Sequence, residues 1–184
     1  MSEQPELRTD RLVLRPFDME DAPAVTRLAG DPEIASTTLH IPHPYEQEMA
    51  ESWIRSHRVW WEAGEMTNFA ITLAEGGELV GTVGLVLNTR HRNAELGYWV
   101  GRPYWGAGYA TEAARAVVGF GFGTLELHRV HAHHFTRNPA SGRVLLKVGM
   151  RYEGRLREHV LKGDSFEDVD TYGVLRSEFT APRG

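Results

Sequence analysis

Gly106 and Gly108 stand immediately before a helix-forming run, Tyr109-Ala110-Thr111-Glu112-Ala113-Ala114. The first backbone N–H groups of a helix have no intrahelical acceptor, and the helix dipole favours an anion at that end. Glycine brings the backbone close to phosphate oxygens with no Cβ in the way. Gly106, Ala107, Gly108, Tyr109, Ala110 and Thr111 therefore have the chemistry of a phosphate cradle. The same glycines also suit a plain strand-to-helix turn, since short glycine motifs are common. A dinucleotide site is a further alternative, with Gly106-Ala107-Gly108 opening G-x-G and Glu126 at about the right spacing for its acidic residue. Thr111 occupies the third glycine position, however, and the remaining chain is too short for repeated βαβ units.

A second group is His128, His131, His133 and His134. On a strand, His131 and His133 share one face and His134 points away. Carboxylates that would orient metal-bound imidazoles are not evident nearby. The expectation is a partly buried, partly exposed strand and no metal. Asn138 followed by Pro139 reads as a helix cap.

The elements that must position these residues follow from periodicity and punctuation. Leu12–Arg15 reads as a strand. Asp18 can cap a helix with Asp21 in its first turn, Val25, Leu28 and Ala29 as its apolar stripe, and Gly30 as its stop. Asp31–Pro44, rich in Pro, Thr and His, reads as a loop. A helix over Tyr45–Ala63 carries Met49, Trp53, Ile54, Trp60 and Trp61 partly at helical spacing. Strand-like runs follow at Phe69–Leu73, Leu79–Leu87 and Ala94–Val100, with turns at Gly76-Gly77 and Thr89–Arg92. Then come a helix over Gly108–Phe122, a strand over Arg129–Phe135 and a helix over Pro139–Val148 stopped by Gly149. Strands around Tyr152–Leu161 and Val169–Ser177 flank a turn at Lys162–Asp164. The order β-α-α-β-β-β-α-β-α-β-β describes a mixed α/β chain of the α+β class, not simple βα alternation.

The 184 residues suit a single domain over 1–184 with a real core. A formal charge of −5 argues against a general nucleic-acid binder. The absence of cysteine excludes disulfides, Cys-ligated zinc and a cysteinyl intermediate. Met1–Asp10 lacks the apolar core of a signal peptide, and no apolar run approaches the roughly 20 residues of a membrane span. A soluble, cytoplasmic protein without a membrane partner is expected.

Four segments, taken in order, resemble the GNAT superfamily of N-acetyltransferases, and within it the RimJ/RimL-like branch. Leu7-Arg8-Thr9-Asp10-Arg11-Leu12-Val13-Leu14-Arg15-Pro16 is similar to that branch's opening T-x-R-L-x-L-R. Glu95-Leu96-Gly97-Tyr98-Trp99-Val100 resembles its x-I-G-Y-W-L strand. Gly106 to Ala113 resembles G-x-G-Y-A-T-E-A, and Asn138 to Met150 resembles N-x-x-S-x-x-v-l-e-K-x-G-F. The resemblance implies a twisted, mostly antiparallel sheet, flanked by helices, that splays between its fourth and fifth strands. Acetyl-CoA would be the co-substrate. Its pantetheine would lie in the split against backbone groups of Trp99 and Val100, with Asn138 as a further contact. The Gly106–Thr111 amides would hold its pyrophosphate. Pro103 departs from the wider [QR]-x-x-G-x-[GA] pattern at its first position, with Arg102 one residue early.

For acetyl transfer to an amine, a base must receive the amine's proton, the carbonyl oxygen needs stabilising and the thiolate needs a proton. Glu95, at the start of the strand leading to the cofactor loop, is the candidate base. Its alternative is a surface residue paired with Arg90 or Arg92. A backbone N–H near Val100 would stabilise the oxyanion. Many superfamily members place an acidic tyrosine four residues before the helix-ending glycine. Leu145 stands there in this chain, so Ser141, which the resemblance puts near the sulfur, or a water is the candidate acid. Trp53, Trp60, Trp61, His40 and Tyr45 lie where the resemblance puts the acceptor site, although ordinary core packing also accounts for the tryptophans, Trp53 above all. The expected partners are acetyl-CoA and a primary amine, either a ribosomal or other protein N-terminus or a small amine. A homodimer is compatible with this reading. The alternative is a non-catalytic acyl-CoA-binding sensor.

Overall fold

Strands and helices occur in blocks along residues 3–180, the part of the chain that the computed structural model describes. The strands are β1 (Leu7–Arg8), β2 (Leu12–Arg15), β3 (Met66–Leu73), β4 (Leu79–Asn88), β5 (Asn93–Val100), β6 (Arg129–Phe135), β7 (Arg151–Lys162) and β8 (Ser165–Leu175). The helices are α1 (Ala22–Ala29), α2 (Pro32–Thr37), α3 (Gln47–Ala63), α4 (Tyr109–Gly123) and α5 (Pro139–Val148). One eight-stranded sheet runs in the order β1-β2-β3-β4-β5-β6-β8-β7. Its neighbours are antiparallel except β5 and β6, which are parallel. The mixed α+β class expected from the pattern is the one observed.

β4 is buried from Leu79 to Leu85 because both of its faces are covered. On one face α4 supplies Val117 and Val118 to a core with Leu14, Phe69, Leu85, Val130 and Leu145. On the other, α1, α2 and α3 bring Val25, Leu28, Ile34, Ala50 and Ile54 against Leu79 and Trp99. The short 3-10 turn Met19–Asp21 that leads into α1 is fixed by its flanking acidic residues. Asp18 and Asp21 form a reciprocal capping box, and Arg15 grips the buried Asp21 through bonds of 2.7 and 2.8 Å.

Some elements differ from expectation. β1 pairs through only Leu7 and Arg8, too short a run to show alternation. The stretch read as a loop after Asp31 contains α2, capped by Asp31 and opened by Pro32. α3 starts at Gln47 rather than Tyr45. β8 begins at Ser165 because its hairpin with β7 stays paired down to Lys162↔Ser165.

His57 on α3 is buried against Phe17, Trp53 and Trp60, and neither ring nitrogen has a hydrogen-bond partner among the described residues. Burial pushes its pKa down to about 4. The unfolded chain takes up a proton near the ordinary value of 6.5, so protons favour unfolding. Stability should fall as pH drops through 6.5 and level off below about 4. From this residue alone, urea unfolding should give about 2 kcal/mol less stability at pH 5 than at pH 7. His57→Leu should remove that share of the pH dependence. An unchanged difference in the folded variant would show that the buried imidazole is not its cause.

Candidate active site

α4 begins directly after Gly108, and no side chain among the described residues caps that end. The Tyr109, Ala110 and Thr111 amides are therefore left to an outside acceptor. Gly106 and Gly108 have φ of +78° and +85°, a left-handed conformation that side chains with a Cβ resist. These positive φ values lie in the loop that brings the helix start to the wall of the cleft. Arg11 braces this loop. It donates to the Ala107 carbonyl at 2.9 Å, lies over the Tyr109 ring and pairs with Glu112 at 2.6 Å. Thr9 adds a 2.7 Å bond to Glu112. Burial pushes the Glu112 pKa up, but the bonds from Thr9 and Arg11 outweigh it and hold the carboxyl below its usual range. The segment Thr9–Arg11 is thereby clamped to the first turn of α4.

The cleft that receives this helix start is a break in the sheet. β5 and β6 pair at Asn93↔Arg129, Ala94↔Val130 and Glu95↔His131, and no further pair forms along them. Beyond that point both strands line a cleft of about 770 Å³, Leu96 to Val100 on one side and His133 to Phe135 on the other. The split lies between the expected strands, counted as fifth and sixth once β1 is included. The Val100 carbonyl accepts a 2.5 Å bond from Trp105 Nε1, so Trp105 belongs with Trp99 and Val100 in shaping this edge. Trp99 belongs to the α1–α3 core cluster and also lines the cleft.

Glu95 lies at the vertex of the split. It is paired with neither Arg90 nor Arg92: the Arg92 guanidinium goes to the Glu126 carbonyl oxygen. Instead, Glu95 Oε1 is 3.1 Å from His133 Nδ1, and Oε2 is 4.0 Å from His131 Nε2. A carboxylate does therefore stand beside the histidines, contributed by the neighbouring strand, where reading β6 alone could not find it. His134 points to the other face, as expected, with Nδ1 against the Phe135 carbonyl. Among the described residues, no group of His, Cys, Asp or Glu is arranged to hold a metal ion.

On the α5 side, Asn138 caps the helix by accepting from the Ser141 N–H at 3.4 Å. Ser141 Oγ lies 2.7 Å from the Tyr98 hydroxyl, across the split. Burial pushes the Tyr98 pKa up to about 12, against a smaller lowering from the Ser141 bond. Tyr98 therefore stays protonated at neutral pH. Leu145 is fully buried in the main core, so the helix presents no hydroxyl from that position. In the sequence Tyr98 is only one position of the strand pattern; its pairing with Ser141 spans 43 positions and carries no local signal.

The remaining residues sort by location. His40, Tyr45 and Trp53 line the cleft, and Trp53 also packs on Phe17. Trp61 is core, and Trp60 borders a shallow groove with Met49 elsewhere on α3. Lys162 Nζ donates to the Leu39 and Ile41 carbonyls at 3.2 and 3.0 Å, tying the β7–β8 hairpin to the loop after α2. Arg102 pairs with Glu33 of α2. Glu126 follows the far end of α4 from the glycines, which removes the dinucleotide reading. Among the described residues, no helix is long and apolar enough to cross a membrane.

A mostly antiparallel sheet, split at its one parallel pair and facing an uncapped, glycine-led helix start, defines an acyl-CoA-handling transferase. The acetyltransferase (GNAT) domain matches residues 11–151; the chain belongs to the GNAT family and is an acetyl-CoA-dependent N-acetyltransferase. It is 33% identical over 173 residues to the uncharacterized N-acetyltransferase YoaA of Bacillus subtilis (strain 168), covering 94% of this chain and 97% of the relative. Against the [ribosomal protein uS5]-alanine N-acetyltransferase of Escherichia coli (strain K12), identity is 26% over 190 residues, covering 96% and 94%. The structure of Mycobacterium smegmatis RimJ in complex with CoA-disulfide superposes with a TM-score of 0.83 at 27% identity, covering 95% of this chain and 87% of that one.

The glycine at the helix start gives a direct test of the cradle. Gly108→Val places a branched side chain on left-handed backbone where an anion must reach the amides. CoA affinity measured by calorimetry should fall by at least about ten-fold, close to 1.4 kcal/mol, in a variant that still melts cooperatively. Unchanged affinity in the folded variant would reduce the loop to a turn.

Proposed function

We propose that the chain transfers an acetyl group from acetyl-CoA to a primary amine by direct attack in a ternary complex. The acceptor is a protein N-terminus or a small amine. The observation that carries this reading is the release of β5 from β6 after Glu95↔His131, at the mouth of the uncapped α4 start. Bound acetyl-CoA supplies the activated acetyl carbonyl. The Gly106–Thr111 backbone holds the pyrophosphate, and the free edge of β5 with Asn138 orients the pantetheine arm. A backbone N–H near Val100 steadies the carbonyl oxygen.

Proton handling divides between the two faces of β5. Glu95, on the face of Trp99 and the α1–α3 core, is the carboxylate on which removal of the amine's proton depends. Ser141, held by the protonated Tyr98 on the α5 side, returns a proton to the departing thiolate. Protein N-termini are proposed because the uS5-alanine N-acetyltransferase is a relative over nearly the whole chain. Small amines are proposed because His40, Tyr45 and Trp53, an imidazole and two aromatic rings, line the same cleft.

The test is thiol release from acetyl-CoA with a panel of N-terminal peptides and small amines. Turnover with at least one amine is expected, and Glu95→Gln should lower kcat by roughly 10²–10⁴-fold with little change in CoA affinity. The loss should shrink at high pH, where the free amine is already abundant. CoA binding with no thiol release across the panel would instead support a non-catalytic acyl-CoA-binding sensor.

A further inference from the structure

Within this acetyl-transfer reading, we infer that His133 Nε2 takes the proton from the attacking amine, and that Glu95 acts through His133 as its positioning residue. His133 is the first residue on its face of β6 beyond the last β5–β6 pair. Both it and Glu95 line the cleft, and the imidazole is 29% exposed, so an acceptor can reach it. Nδ1 is 3.1 Å from Glu95 Oε1. In the proposed state the carboxylate accepts from Nδ1–H, which fixes the tautomer that leaves the Nε2 lone pair free.

The surroundings single out His133 as this carboxylate's partner. His131, one step back on the same face, is 4.0 Å from Glu95 and is not part of the cleft wall. Burial pushes the His131 pKa down, against the upward pull of Glu95. Arg129, also on this face, is engaged in a forked pair with Glu153 of β7. The β8 residues beside His133 and His131 are the uncharged Thr171 and Gly173.

The step balances as follows. The amine nitrogen forms its bond to the acetyl carbon as its proton moves to His133 Nε2. The C–S bond then breaks, and the thiolate takes a proton from the Ser141–Tyr98 pair. His133 gives its proton to solvent, and the pair regains one from solvent. The products are the amide and the free thiol.

The test combines kinetics with imidazole nitrogen NMR on the full chain. His133→Gln and Glu95→Gln should each lower kcat by about 10²–10⁴-fold. The double variant should be little worse than the worse single one, because the two act as a unit. His131→Gln should stay within about five-fold of wild type. Unchanged CoA affinity by calorimetry certifies that each variant is folded. Without substrate, the neutral His133 ring should carry its proton on Nδ1, and Glu95→Ala should shift it to Nε2. A His133→Gln enzyme within about five-fold of wild-type kcat, or a wild-type His133 protonated on Nε2, would overturn the inference while leaving the acetyl-transfer reading intact. A wild-type protein that binds CoA but acetylates no amine would overturn both.

Discussion

From Leu96 onward the edge of β5 that pointed toward β6 has no strand beside it. Unpaired backbone groups in a sheet interior are costly unless water or a ligand satisfies them. The amides at the start of α4 are unmet in the same way. An extended, amide-bearing molecule ending in phosphates meets both demands at once. The rest of the structure preserves this arrangement. The doubly covered β4 holds β5 from its other side, while the Thr9–Arg11 clamp on Glu112 and Ala107 fixes the helix start.

Strand alternation then separates the chemistry. Along β5, Glu95 and Trp99 face the α1–α3 side, whereas Leu96 and Tyr98 face α4 and α5. The same rule on β6 brings His131 and His133 to Glu95 and sends His134 the other way. A group that removes a proton and a group that supplies one can thus stand on opposite faces of one strand. Lys162 holds the loop after α2 to the β7–β8 hairpin through the Leu39 and Ile41 carbonyls.

Features written in contiguous residues were legible in the sequence. The Gly106–Thr111 loop, the Ala94–Val100 strand, and α5 between Asn138 and Gly149 each carry local signals of turn, alternation or cap, and each lies where those signals put it. What escaped depends on contacts between distant positions. Arg11 meets Glu112, Tyr98 meets Ser141 and Glu95 meets His133 only because the sheet order sets β2, β5, β6, α4 and α5 side by side. β1 is too short to announce itself. α2 was hidden by Thr and Pro, although Asp31-Pro32 is the cap and first position of a helix. Nothing in the spacing of α3 marks His57 as a neutral, unpartnered ring among aromatics.

The central claim is that one ligand satisfies both the open edge of β5 and the start of α4. Amide hydrogen exchange, followed residue by residue with and without saturating CoA, tests this most directly. Tyr109, Ala110 and Thr111, together with amides between Leu96 and Val100, should exchange more slowly in the complex, while the distant β7–β8 turn at Gly163 should not change. CoA-saturated protein with unchanged exchange at both the helix start and the β5 edge would contradict the account.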